Sequence, residues 1–414
     1  MKKVIAIIFI VLLILASAIY WLLYTGPSSS IDILPEEPAK PFSFNPFKRA
    51  TITPSVSATP TPEETVVPEP VPVVKIPALR HLSTTPVGGF MASTTASSTV
   101  VRYIDRGVGH VFESLSTESE IKKISNTTIP RVYESYWNKN LSGMVLRYMK
   151  DEENITNFYA EIRKTASSSD SSSLDYEIKG KFLSSNIKGV TVSPKGDKVF
   201  TFNIEDGGGV GYVSGFDESK KTKIFDVPFT QVNIEWPEEN TLAINTKASG
   251  ISSGFLYLFD IKKASMKKIL GGITGLTSKV SPDAKKIIFS STSPRGFVTS
   301  LYNMKDGSTQ EVVFRTTTDK CVWSRKYVNE LYCAVPAELP AGFYPDDWYR
   351  GNVSFVDQIW HLDTTTGEVH LVANLLNLSD SLIDAIDLKL DPREDYLYFI
   401  NKRDLTLWSL NLNQ

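Results

Sequence analysis

Cysteine and histidine are scarce. Two cysteines in 414 residues are too few for a disulfide framework or a multi-cysteine zinc site. His81, His110, His361 and His370 are scattered without metal-ligand spacing. An excess of one charge is also lacking: 44 Lys and Arg face 46 Asp and Glu, a formal net charge of −2. Such a chain presents no basic field to a phosphate backbone, so no nucleic-acid partner is expected. Catalytic signatures are missing as well. Gly211-Tyr212-Val213-Ser214-Gly215 has the wrong spacing for a nucleophile elbow. No glycine-rich phosphate loop is followed by Lys-Ser/Thr, and Asp206-Gly207-Gly208-Gly209 reads as a flexible turn. No catalytic residue, cofactor or metal is therefore assigned, and a non-enzyme is the favoured reading.

The chain does have a long apolar run. Val4 to Tyr24 is broken only by Ser17. At about 1.5 Å per residue it spans about 31 Å, enough to cross a bilayer core. Lys2 and Lys3 precede it, and Trp21 and Tyr24 lie at its far end. Positive charge before the run predicts a cytoplasmic N-terminus, and the aromatics suit the opposite interface. Ala16-Ser17-Ala18 has the form of a signal-peptide cleavage site. The run continues past it, which favours an uncleaved single-pass anchor over residues 1–26.

Residues 27–76 read as a spacer. Between Pro27 and Pro77 lie 12 of the 23 prolines and no glycine. Proline fixes φ and donates no ladder hydrogen bond, so extended polyproline II is expected there. Its reach is on the order of 150 Å. The expected location follows: a cell-membrane protein whose remaining chain, 77–414, lies outside the cytoplasm.

That remainder repeats. Short apolar strands alternate with Gly, Asn, Asp and Ser turns, a pattern of all-β structure. Val192-Ser193-Pro194-Lys195-Gly196-Asp197-Lys198-Val199-Phe200 matches Val280-Ser281-Pro282-Asp283-Ala284-Lys285-Lys286-Ile287-Ile288-Phe289. Looser copies follow Trp236, Trp323 and Leu390. Pro194 to Pro237 is 43 residues, Pro237 to Pro282 is 45, and 43 more reach Arg325. A period of about 40–45 residues with four strands each marks β-propeller blades. Trp137, Trp236 and Trp323 share one repeat position and are expected between blades. The Ser-Pro-Asp unit resembles the WD40-like (PD40-type) repeat of TolB-like propellers, a resemblance covering roughly 77–414. It implies fold far more than function. TolB carries an α/β domain before its propeller, where this chain has spacer.

Seven blades are expected, with inner strands near Val87, Arg131, Lys188, Val232, Leu276, Cys321 and Ala385; six is the alternative, because the first unit is degenerate. Blade seven has three clear strands, and Lys75–Leu82, within which Ala78–Leu82 reads as an outer strand, is expected to supply its fourth.

Propellers bind ligands on the face holding the second-to-third strand loops. Blade six replaces that turn with Pro336–Ser354, 19 residues containing Phe343, Tyr344, Asp346, Asp347, Trp348, Tyr349 and Arg350. Arg295 and Arg403 occupy the corresponding turns of blades five and seven. These nine residues are the candidate contacts, since aromatic area beside charge suits protein or sugar. A self-packed cap over the channel is the competing reading. Cys321 and Cys333 fall on consecutive strands, where a disulfide or two buried thiols are open. A protein-interaction platform in the cell envelope is the expected function. A carbohydrate- or wall-binding module, then a glycan-acting enzyme at the channel mouth, are the alternatives.

Overall fold

In the computed structural model, which describes residues 76–152, 154–165 and 176–413, one turn explains why the repeat recurs. Ser281 Oγ accepts from the backbone N–H of Lys285 and Lys286 and donates to Asp283. Ser193 Oγ does the same for Asp197 and Lys198. Three residues on, Gly196, Ala284 and Glu394 all take positive φ (68°, 54° and 62°) and donate back to the carbonyls of Ser193, Ser281 and Asp391. A side-chain oxygen that satisfies the turn N–H groups fixes the hairpin between a blade's first two strands. This is a local solution, so it repeats as sequence.

The turns organise 28 strands among the described residues. β1 is Leu79–His81. Blade one is β2–β5 (Val87–Thr94, Thr99–Asp105, Val111–Leu115, Ile121–Ser125) and blade two β6–β9 (Val132–Trp137, Gly143–Met149, Ile155–Lys164, Tyr176–Phe182). Blade three is β10–β13 (Ile187–Val192, Val199–Glu205, Gly208–Ser214, Thr222–Val227). Blade four is β14–β17 (Val232–Glu238, Thr241–Thr246, Ser253–Asp260, Ser265–Thr274). Blade five is β18–β21 (Thr277–Val280, Lys286–Ser293, Gly296–Asn303, Thr309–Glu311). Blade six is β22–β25 (Cys321–Trp323, Glu330–Pro336, Asp357–Asp363, Val369–Asn374) and blade seven begins with β26–β28 (Ala385–Leu390, Tyr396–Asn401, Leu407–Asn411). Each sheet is antiparallel and four-stranded, so the ring has seven blades and the six-blade alternative falls.

Closure comes from the N-terminal side. β1 is the outer strand of blade seven, pairing Leu79 with Leu410, Arg80 with Ser409 and His81 with Trp408. The expected outer strand at Ala78–Leu82 is thus present, trimmed to three residues. Arg80 fastens it to blade one through Ser114 Oγ, Leu115 O and Glu118 O.

The core is divided among the seams between blades. Phe200, Phe202, Trp236 and Leu242 fill the seam of blades three and four; Ile288, Phe314, Trp323 and Leu331 that of five and six; Leu82, Val87, Phe90 and Ile400 that of seven and one. Trp137, Trp236 and Trp323 are all buried, and Trp323 Nε1 donates across its seam to Lys279 O. The outer strand of blade five, β21, is short and stops at Glu311. Val312 and Phe314 turn inward to the five–six seam instead.

Cys321 and Cys333 lie directly opposite each other across β22 and β23 and are disulfide-bonded. The apolar run 4–24, the spacer to residue 75 and the serine-rich stretch 166–175 lie outside the described residues. Among the described residues no helix is long and apolar enough to cross a membrane.

Candidate functional site

The blade-six insertion folds on itself before it meets anything else. Asp347 accepts from Phe343 N and Asn352 Nδ2, bonds that hold its carboxyl below the ordinary range. These bonds bracket a short helix, α1 (Asp346–Arg350), which ends on Gly351 at φ 80°. Tyr344, Trp348 and Phe355 pack with Phe297 of blade five into a small aromatic core. Asp346 reaches blade four, accepting from Ser249 Oγ at 3.0 Å and Gly250 N at 2.6 Å. Thr292 of blade five donates to Tyr344 O. The insertion is therefore a cap drawn over blades four to six.

This placement corrects part of the sequence reading. Tyr344 and Trp348 are each 2% exposed, so they are the inside of the cap and present no surface for a partner or a sugar to stack on. Asp346 and Asp347 spend their oxygens on turn and cap bonds. Arg403 is turned to Phe355 O, which accepts from its Nε and Nη2. Phe343, Tyr349, Arg350 and Arg295 are exposed. Tyr349 hydroxyl donates to Asp319 at 2.6 Å, at the channel mouth.

Beneath the cap lies a cluster that sequence reasoning missed. Lys320, Asp357 and Asp384 are fully buried. Lys320 Nζ donates to Asp357 Oδ2 at 2.7 Å and to Asp384 Oδ1. Asp384 also accepts from Trp348 Nε1 and Phe355 N of the cap. Asp357 Oδ2 accepts from Ala385 N at 2.6 Å, whereas its Oδ1 has no hydrogen-bond partner. The ammonium lies 5.2 Å from the Trp348 ring and 5.3 Å from that of Phe355, close enough for cation–π attraction. The three residues come from three separate chain stretches with no shared local motif, so spacing offered no signal.

Beside the cap the channel holds a cavity of about 600 Å³ bounded by the inner strands of blades one, two, three and seven. Gly88 and Gly89 bring the inner strands of blades one and two close. A Cβ on Gly89 (φ 132°) would lie 2.3 Å from Ser135 Oγ. Tyr133 and Arg106 stand at the rim, the guanidinium 5.1 Å from the ring centre. Deeper, equivalent inner-strand positions carry Tyr136, Glu235, Lys279 and Lys389. Tyr136 donates to Glu134, which also accepts from Arg147 at 2.6 Å. Burial and then Glu134 raise that phenol well above its ordinary value. Lys279 bridges blades four and five by pairing with Glu235 at 2.9 Å. Burial opposes its charge, but Glu235, with Asp319 and Asp387 behind it, outweighs the penalty and raises the ammonium above its ordinary value. Lys389 pairs with Asp387 and donates to Phe90 O. Among the described residues no cluster of three or more His, Cys, Asp or Glu is placed to hold a metal ion.

No protein-family model matches the chain, and no curated protein does. Solved structures similar to it include an oligogalacturonate lyase in complex with manganese, at 10% identity over 80% of this chain and 97% of that one, TM-score 0.47. TolB from Acinetobacter baumannii matches at 13% identity over 78% of this chain and 79% of that one, TM-score 0.41. The β-propeller domain of the Trilobed protease from Pyrococcus furiosus matches at 14% identity over 62% and 74%, TM-score 0.40. The seven closed sheets establish the fold on their own, and in that fold the chain is similar to TolB and to other propellers of the PD40 type.

Proposed function

We propose that this chain is a membrane-tethered, extracytoplasmic propeller that serves as a docking platform for another envelope or surface protein. One observation carries the reading. The connection from blade six to blade seven forms a short helix, α2 (Leu375–Ser379), capped by Asn374. It buries Leu375 in the seam and leaves Leu376, Leu378 and, just beyond, Leu382 in solvent at 38%, 47% and 51% exposure. Leu371 of β25 adds 50%. Apolar side chains grouped on a protein surface suit contact with another protein. The apolar run 4–24 and the proline-rich stretch after it support tethering on a spacer.

The test is in-cell photo-crosslinking from position 378 with the N-terminal segment intact, repeated with Leu376→Asp and Leu382→Asp. A single protein captured by the parent chain and lost from both variants is the expected result. An unchanged pattern overturns the leucine surface as the docking site. A polysaccharide partner is the second reading, favoured by the exposed Tyr133 ring with Arg106 against it at the rim of the cavity. Retention on wall glycan, lost on Tyr133→Ala with the crosslinks unaffected, would support it.

A further inference from the structure

We propose that Asp357 is a proton-operated catch: taking up a proton at its buried carboxyl tightens the cap over the channel mouth. The geometry under the cap is one ammonium for two carboxylates. Lys320 is the only ion-pair partner of Asp357 and Asp384 among the described residues. A fully buried cluster with both acids ionised carries a surplus negative charge, the arrangement that burial penalises most. The surplus resides on Asp357. Asp384 is supported by two cap donors, the Trp348 indole and the Phe355 amide, besides Lys320. Asp357 has Lys320 and Ala385 N on Oδ2 and nothing on Oδ1.

Among the described residues no other charged group pairs with Asp357. Lys402, on the β27–β28 turn, lies 5.3 Å from the Trp348 ring and pairs with neither acid. Burial, the foremost cause, lowers its own affinity for a proton; Asp384 acts against this and Lys320 adds to it, so the field of Lys402 falls on Asp384. Arg403 is committed to Phe355 O. Asp319, next to Lys320 in the chain, turns away to Tyr349. On the cap, Asp346 faces the Ser249–Gly250 turn and Asp347 the cap's own backbone.

The sign follows from linkage. Burial, only partly offset by Lys320, raises the Asp357 carboxyl from 3.8 to about 6. With the cap lifted, the carboxyl meets water and returns towards its ordinary value. The closed arrangement therefore binds the proton more tightly, and acidification favours closure. Between pH 7.5 and pH 5.0 the closed-to-open ratio should rise about tenfold. The catch acts on the cap whatever the platform binds, and cap exchange is read separately from partner capture.

The experiment is hydrogen exchange of the full chain at pH 7.5 and pH 5.0, corrected for intrinsic rates, following the amides of 337–356. Protection of the cap should rise about tenfold on acidification, and Asp357→Asn should abolish the pH response. Flat or falling protection in the parent chain overturns the proposal. So does a folded Asp357→Asn variant that still responds. Should the variant not fold, the carbon-13 carboxyl resonance of Asp357 in the parent chain decides: a midpoint near 6 supports the catch, and one below 4 overturns it.

Discussion

Lys320 shows how much one side chain can be asked to hold. Its ammonium is buried, binds two carboxylates, and lies near two cap rings. Replacing it with methionine fills the same volume but leaves both acids without a counter-charge. Breaking a buried pair from one side costs about 3–5 kcal/mol. Lys320→Met is expected to lose stability in that range, measured by urea unfolding at pH 7.5. The loss should shrink towards pH 5, where Asp357 takes its own proton. Nothing in the chain near residue 320 announces this. Thr318, Asp319 and Lys320 form a short turn leading into β22, and a lysine beside a strand usually points to solvent. Its burial arises because Asp357 and Asp384 arrive from β24 and from the lead-in to β26. The neighbouring aromatics leave two readings open in the sequence, a contact surface or a self-packed cap, and the burial of Tyr344 and Trp348 is that of the cap. Composition told that Tyr344 and Trp348 need a partner, but the partner is the cap itself.

At the level of strands and turns, much more was legible. The Ser281 and Ser193 turns satisfy their own backbone within five residues, so the same chemistry reappears as the same letters and the blades can be counted. Blade one was degenerate in sequence because its inner strand carries Gly88-Gly89, a pair explained by the close approach of Val132 and Ser135. The end of the blade-five outer strand is not legible in the same way, because Val312 and Phe314 are apolar whether they extend the strand or fill the seam. The disulfide also belongs to this scale. Cys321 and Cys333, 12 residues apart, tie β22 to β23 on either side of a loop through Tyr327. Closing so short a loop is expected to contribute about 2–4 kcal/mol. Reductant should lower the melting temperature of the parent chain and leave a Cys321→Ala, Cys333→Ala double variant unmoved.

The whole ring depends on a seam made from both ends of the described chain. Leu82 is buried there and Leu79 in the adjoining seam of blades six and seven, Arg80 reaches into blade one, and Thr99 of blade one donates to Asp391 of blade seven. Deleting residues 75–82 removes an outer strand and opens two seams at once. The melting temperature at a fixed scan rate should fall by roughly 5–10 °C. An unchanged value would show that blade seven closes the ring with three strands. The pattern made this strand visible in advance, because three strands at the C-terminal side lacked a fourth and Ala78–Leu82 had the composition to supply it.

The same seam has a mechanical consequence. Tension on the backbone before Leu79 reaches β1 first, and β1 holds to β28 through only three paired residues. The load then passes to Arg80, whose three bonds to blade one act as a second fastening. Peeling β1 away would bare the edge of β28 and the Trp408 ring on which His81 stacks at 4.3 Å. A pull from the N-terminal side therefore strains the ring at its clasp, and the six blades from β2 to β25 feel it only after the clasp has given way.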